Sequence, residues 1–151
     1  RYFESVDGLM EQYVKSGLYT STSADTYLAE LDKIEPEKAP EILTKVMLTF
    51  LRDLRERKAT RDLLRWEIGT GKPMLTNSRN AAATCILEKT GSLPNFEDTS
   101  GLMAFLSSAI YFMAISADYR ETMLDLNLSS EKDWERIENI VERIIKSISN
   151  E

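Results

Sequence analysis

A chain of 151 residues, 42% hydrophobic and 29% charged, has the size and composition of one globular domain with its own core, which excludes a disordered chain. The formal net charge of -6 makes it a poor binder of nucleic acid by itself, because that affinity depends on Lys and Arg displacing counterions from phosphates. Histidine is absent and Cys85 is the only cysteine, so the commonest metal ligand, the commonest acid–base group near neutral pH and any internal disulfide are all missing.

The sequence opens at Arg1 without an initiator methionine or a signal-peptide pattern. It is expected to be a cytoplasmic fragment of a longer protein in a reducing compartment. Ser5 is a plausible N-cap for a first helix over Val6 to Leu18, whose Val6, Leu9, Met10, Tyr13, Val14 and Gly17 recur at one-sided helical spacing. Gly17 and the tract Thr20-Ser21-Thr22-Ser23 interrupt it, and a short helix is expected over Ala24 to Ile34, ending before Pro36. Pro36 and Pro40 then flank a long helix with Ala39, Ile42, Leu43, Val46, Met47, Phe50, Leu51 and Leu54 on one face.

A segment from Thr60 to Ile68 runs into Gly69-Thr70-Gly71. A helix from Pro73 to Thr90 follows, with Gly91 suited to a left-handed terminus. Leu93 to Ser100 reads as a loop. The next helix, Leu102 to Ala117, is apolar almost all round, so it must be covered on two sides. Gly101 to Ala117 is borderline in length for spanning a bilayer, and Ser107, Ser108 and Ser116 favour a core helix instead. Ser130 and Asp133 form a loose capping box for the last helix. There Trp134, Ile137, Val141, Ile144 and Ile148 make an a/d seam.

The run Gly69-Thr70-Gly71-Lys72 suggests a phosphate loop, but Trp66 stands where that motif needs glycine and Pro73 where it needs Ser or Thr. A helix-breaking turn is the better reading. The carboxylate pairs Glu35/Glu37 and Asp118/Glu121 lie at helix ends beside Lys33, Lys38 and Arg120, and read as solvated surface. Arg52, Arg55, Arg57, Lys58, Arg61 and Arg65 cluster around a helix–helix turn, where the macrodipole favours cations; an anion-binding patch is the alternative. Cys85, between Ala81, Ala82 and Ile86, reads as a small buried hydrophobe.

The opening residues Arg1-Tyr2-Phe3-Glu4-Ser5-Val6-Asp7-Gly8-Leu9 resemble the junction between the helix-turn-helix and the connecting helix of TetR-family regulators, matching at Tyr2, Phe3, Asp7 and Leu9 and departing at Val6. The segment Arg61-Asp62-Leu63-Leu64-Arg65-Trp66-Glu67 is similar in texture to that family's short middle helix. The resemblance implies an all-α bundle of about seven helices. Residues 1–5 would be the end of a DNA-binding domain, and residues 6–151 the ligand-binding and dimerisation domain. It implies that Tyr13, Met47, Phe50, Trp66, Tyr111, Phe112 and Met113 converge on a central cavity for a small hydrophobic effector. It implies, too, a homodimeric four-helix interface built by the last two helices through Leu106, Ile110, Trp134, Ile137, Val141, Ile144 and Ile148. Operator DNA would be reached through a domain before Arg1. No catalytic group, metal, cofactor or membrane is expected. A ligand-free structural dimer and a small helical enzyme are the alternative functions, the second disfavoured because no nucleophile–base constellation exists.

Overall fold

The computed structural model describes residues 5–16 and 36–150. The expected helix over Ala24 to Ile34, the Thr20–Ser23 tract, and Tyr2 and Phe3 of the opening motif lie outside them. Among the described residues the chain is predominantly helical, with six α-helices and one two-stranded sheet. In chain order these are α1 (Val6–Lys15), a 3-10 turn (Pro36–Lys38), α2 (Ala39–Glu56), α3 (Lys58–Thr70), α4 (Met74–Thr90), α5 (Thr99–Ser116), β1 (Thr122–Met123), β2 (Leu126–Asn127) and α6 (Glu131–Asn150).

Local chemistry accounts for most of the helix ends. Ser5 caps α1, its hydroxyl accepting the Gly8 N–H at 3.1 Å, which satisfies one of the orphan donors of a first turn. Only the extended residue Arg57 separates α2 from α3, so the second helix begins earlier than Thr60. Gly71 ends α3 in the left-handed region (φ 68, ψ 21). Gly91 closes α4 with φ 71 and ψ −168, not in the expected left-handed well but in a region only glycine enters freely. Asp98 caps α5 by accepting the Gly101 N–H at 2.8 Å. A Cβ on residue 101 would crowd that carboxylate, so a larger residue there would require the Asp98 side chain to shift and weaken the cap.

A small sheet, which periodicity does not single out, sits within this all-helical class. Thr122 pairs with Asn127 and Met123 with Leu126 in a tight hairpin between α5 and α6. Asp133 does not close a capping box with Ser130; its carboxylate reaches back to accept the Asn127 N–H at 2.8 Å, tying hairpin to helix. Leu124, at the hairpin tip, has φ 54 and is 97% exposed.

Helix α2 is central, packing against both α5 and α6, while α3 packs against α2, α4 and α5, and α1 rests on α4. Leu43, Met47, Leu51 and Leu54 form the α2 stripe expected from periodicity, joined by Leu63 and Leu64 of α3. Each such buried side chain contributes about 1.5–3 kcal/mol of transfer free energy.

That packing changes the reading of the last two helices. Trp134, Ile137 and Val141 of the expected dimer seam are buried against their own chain, together with Ile145. Leu106 and Ile110 of α5 are equally sunk, while Ile144 and Ile148 are half-buried. The a/d spacing marks a face that needs covering, and α2 is what covers it. The apolar residues left outside are a different set: Phe105 and Phe112 on α5 and Ile140 on α6. Helix α5 is the one segment among the described residues long and apolar enough to cross a membrane, with only a third of it buried.

Candidate functional site

The seven aromatic and methionine residues do not all meet. Phe50 and Tyr111 do, and Met47 lies one turn from Phe50 on α2. Phe50 from α2 meets Tyr111 from α5 edge-to-face, with centroids 4.9 Å apart and planes at 77°. One turn earlier on each helix, the Ser107 hydroxyl lies 3.9 Å from the Met47 sulfur. Met47 is sealed in the core, whereas Phe50 and Tyr111 are half-buried. Tyr13, Trp66 and Met113 are also half-buried against the core. Phe112 points the other way: it is 60% exposed, with the Arg120 guanidinium 5.9 Å from its ring. Adjacent residues on a helix are about 100° apart, and here Tyr111 turns towards the core while Phe112 turns to solvent.

Sequence reasoning missed the group's cation. The Arg79 guanidinium carbon, from α4, lies 4.5 Å over the ring of Phe50. Helix α4 buries only Leu75, Ile86 and Thr90 and has no apolar stripe, so no periodicity in the sequence indicates which of its faces turns inward. Its N-terminus is held from another helix. The carboxylate of Glu67, buried in α3, accepts the N–H of Leu75, the N–H of Thr76 at 3.2 Å and the Thr76 hydroxyl at 2.7 Å. Proline at residue 73 has no side chain that could do this, and Glu67 also complements the helix dipole.

The basic cluster is not an open anion patch. Arg52 forks onto Glu138 at 2.9 and 2.7 Å, and Arg55 onto Glu131 at 3.1 and 2.5 Å. Lys58 pairs with Asp62 at 2.7 Å, and Arg57 lies 3.9 Å from Asp53. Arg61 is the hub. Its Nε and Nη2 donate to the two oxygens of Asp118 at 3.0 and 2.9 Å, and its Nη1 donates to the Leu54 and Arg55 carbonyls at 2.7 and 2.6 Å. Arg65 adds a bond to Asp118 at 2.5 Å and a contact with Asp62. Asp118 lies at the surface, as expected, but its carboxylate is engaged, by Arg61 and Arg65 rather than Arg120. The hydrogen bonds from Arg61, reinforced by Arg65 against the opposing effect of burial, bring its carboxyl down to about 2.

Elsewhere, Arg55 holds the Glu131 carboxyl below the ordinary range, and Arg136 does the same to Asp125. Gly71 serves as the helix-breaking turn. Cys85 is half-buried rather than enclosed. Glu37 is exposed, and Glu35 lies outside the described residues. No family model, curated protein or solved structure matches this chain.

Proposed function

We propose that the chain is the effector-sensing and dimerisation body of a TetR-like transcriptional regulator of the repressor type, working as a cytoplasmic homodimer on operator DNA. The observation that carries the reading is the outward face of α5. No charged residue occurs from Thr99 to Ala117, yet Phe105 and Phe112, two turns apart, stand 70% and 60% exposed. Ser108 and Ala109 between them, and Ala104 just before Phe105, are exposed and small. A two-fold axis near Ser108 would set Phe105 of one copy beside Phe112 of the other, a self-complementary arrangement. Ile140 of α6, 52% exposed, extends the apolar surface available to a partner. The interface proposed uses Phe105, Phe112 and Ile140 in place of the residues sunk in the core.

In this scheme an amphipathic effector binds where Phe50 and Tyr111 meet, with Met47 one turn away. It acts through its differential affinity for two arrangements of the helices. Because α1 rests on α4, movement of α4 would reposition α1 and the DNA-reading units it joins. Operator half-sites require those units about 34–36 Å apart. Sedimentation should give a two-chain particle, and Phe112→Glu should give folded monomers, since a charge in an apolar interface is costly. A wild-type chain that stays a single copy at high micromolar concentration sinks the dimer. Failure of the complete protein to bind any operator at low salt sinks the regulator.

The full burial of Met47, Leu43 and Leu51 favours one second reading, a scaffold dimer with a solid middle. Native mass spectrometry separates the two: co-purified small molecule supports sensing, its absence together with no response to a hydrophobic library supports scaffolding.

A further inference from the structure

Helix α5 holds no charged residue, and charge resumes only at its two ends: Glu97 and Asp98 before it, Asp118 and Arg120 after it. Two of these four are committed within their own chain. Asp98 accepts the Gly101 N–H as the helix cap, and Asp118 is held by Arg61 and Arg65. Glu97 and Arg120 are not committed in this way. Both are exposed, and among the described residues neither belongs to an ion pair. The Arg120 guanidinium instead lies 5.9 Å from the centre of the Phe112 ring, at the rim of the outward apolar face.

The positions of these two charges match the symmetry of that face. Glu97 precedes Phe105 by as many residues as Arg120 follows Phe112. A two-fold axis that sets Phe105 of one copy beside Phe112 of the other therefore brings Glu97 of one copy toward Arg120 of the other, and does so twice. The two α5 helices then run antiparallel, each positive dipole end beside the other's negative end. A parallel pair would set Glu97 beside Glu97 and Arg120 beside Arg120, like charges in both places. Apolar burial is non-directional and does not choose between the two arrangements. The exposed residues near the axis, Ser108 and Ala109, are small and uncharged, so the choice falls to the charges at the helix ends.

We propose that the partner seated on α5 is a second copy of this chain in antiparallel register, oriented by two reciprocal ion pairs between Glu97 of one copy and Arg120 of the other. This rests on the dimer reading and deepens it. Both side chains are long and exposed, so their pairing needs no rearrangement of the core. An exposed ion pair adds little affinity by itself. Its part here is to select the register, while the affinity comes from covering Phe105 and Phe112.

The test is sedimentation velocity on the whole chain at low ionic strength, where surface charges are least screened. Glu97→Lys and Arg120→Glu are each measured alone and then mixed in equal amounts. Alone, each variant sets like charges at both contacts, and its dimer should be about tenfold weaker than the wild type's, or weaker still. In the mixture, a pair made of one copy of each variant regains opposite charges at both contacts, so affinity should return to near the wild-type value. A contact within one chain could not be rescued in this way. Far-UV circular dichroism and thermal melting establish that each variant folds, and Glu97→Gln and Arg120→Gln read the same contacts at smaller amplitude should a reversal unfold the chain. Folded variants that dimerise as tightly as the wild type, or a mixture no tighter than its components, overturn the charged register and leave the apolar dimer standing. A wild-type chain that stays a single copy overturns the register and the dimer together.

Discussion

Replacing Asp118 by asparagine tests whether the corner formed by α2, α3 and the end of α5 is held by charge. Asp118 accepts two bonds from Arg61 and one from Arg65, and Arg61 simultaneously closes the last carbonyls of α2. The carboxyl pKa falls from 3.8 to about 2, and a shift of that size corresponds to at most about 2–3 kcal/mol. Its side chain keeps 19% exposure and those of Arg61 and Arg65 keep 11% and 20%, so solvent screens part of this; a loss of about 1–2 kcal/mol is expected for Asp118→Asn at neutral pH. For a chain of this size that lowers Tm by roughly 3–8 °C. The folded-state pKa lies below the unfolded one, so the contribution is fully present above the unfolded value of 3.8 and is lost as pH falls through about 2. Urea unfolding of both proteins at pH 7 and at a series of pH values below 4 reads the effect. The stability gap should narrow steadily across the acid series. A gap within experimental error at pH 7, or one that stays constant into acid, would refute the assignment of the corner to this ion pair.

Glu67→Ala should destabilise the chain by about 2–3 kcal/mol, because buried N–H groups of Leu75 and Thr76 lose their acceptor; hydrogen exchange should rise first in α4 and α1, and uniform acceleration across all helices would contradict the local role. Gly91→Ala should cost about 1–3 kcal/mol through backbone strain alone, since a Cβ there meets nothing within 4 Å; an unchanged urea midpoint would mean that residue 91 is not in this conformation. Leu124→Asn should raise stability by about 0.5–1 kcal/mol, because asparagine tolerates the left-handed backbone better than leucine and the leucine side chain packs on nothing; a lower melting temperature would refute this.

The exposed residues sharpen how the copies would meet. Periodicity alone assigns the oily stripe of α6 to a partner, yet its strongest members turn inward onto α2. On the proposed reading a partner would cover Phe105 and Phe112, exposed residues that periodicity does not distinguish because α5 is apolar on nearly every side. A monomer that covered its α6 stripe and also buried both phenylalanines would need another layer of helix over α5.

Several features follow from the amino-acid sequence without help from the fold: the helical class, the α2 stripe of Leu43, Met47, Leu51 and Leu54, the Ser5 cap and the break at Gly71. They are legible because they depend on neighbours within a turn or two, where 3.6-residue spacing and capping chemistry act directly. Tertiary structure decided the rest. It determined that Asp118 belongs to Arg61, that Glu67 caps a helix other than its own, that Arg79 lies over Phe50, and that the α6 seam is covered from within. Spacing identifies a face that wants company or a charge that wants a counterion, but the partners lie many residues away, and only the packing of whole helices brings them into reach.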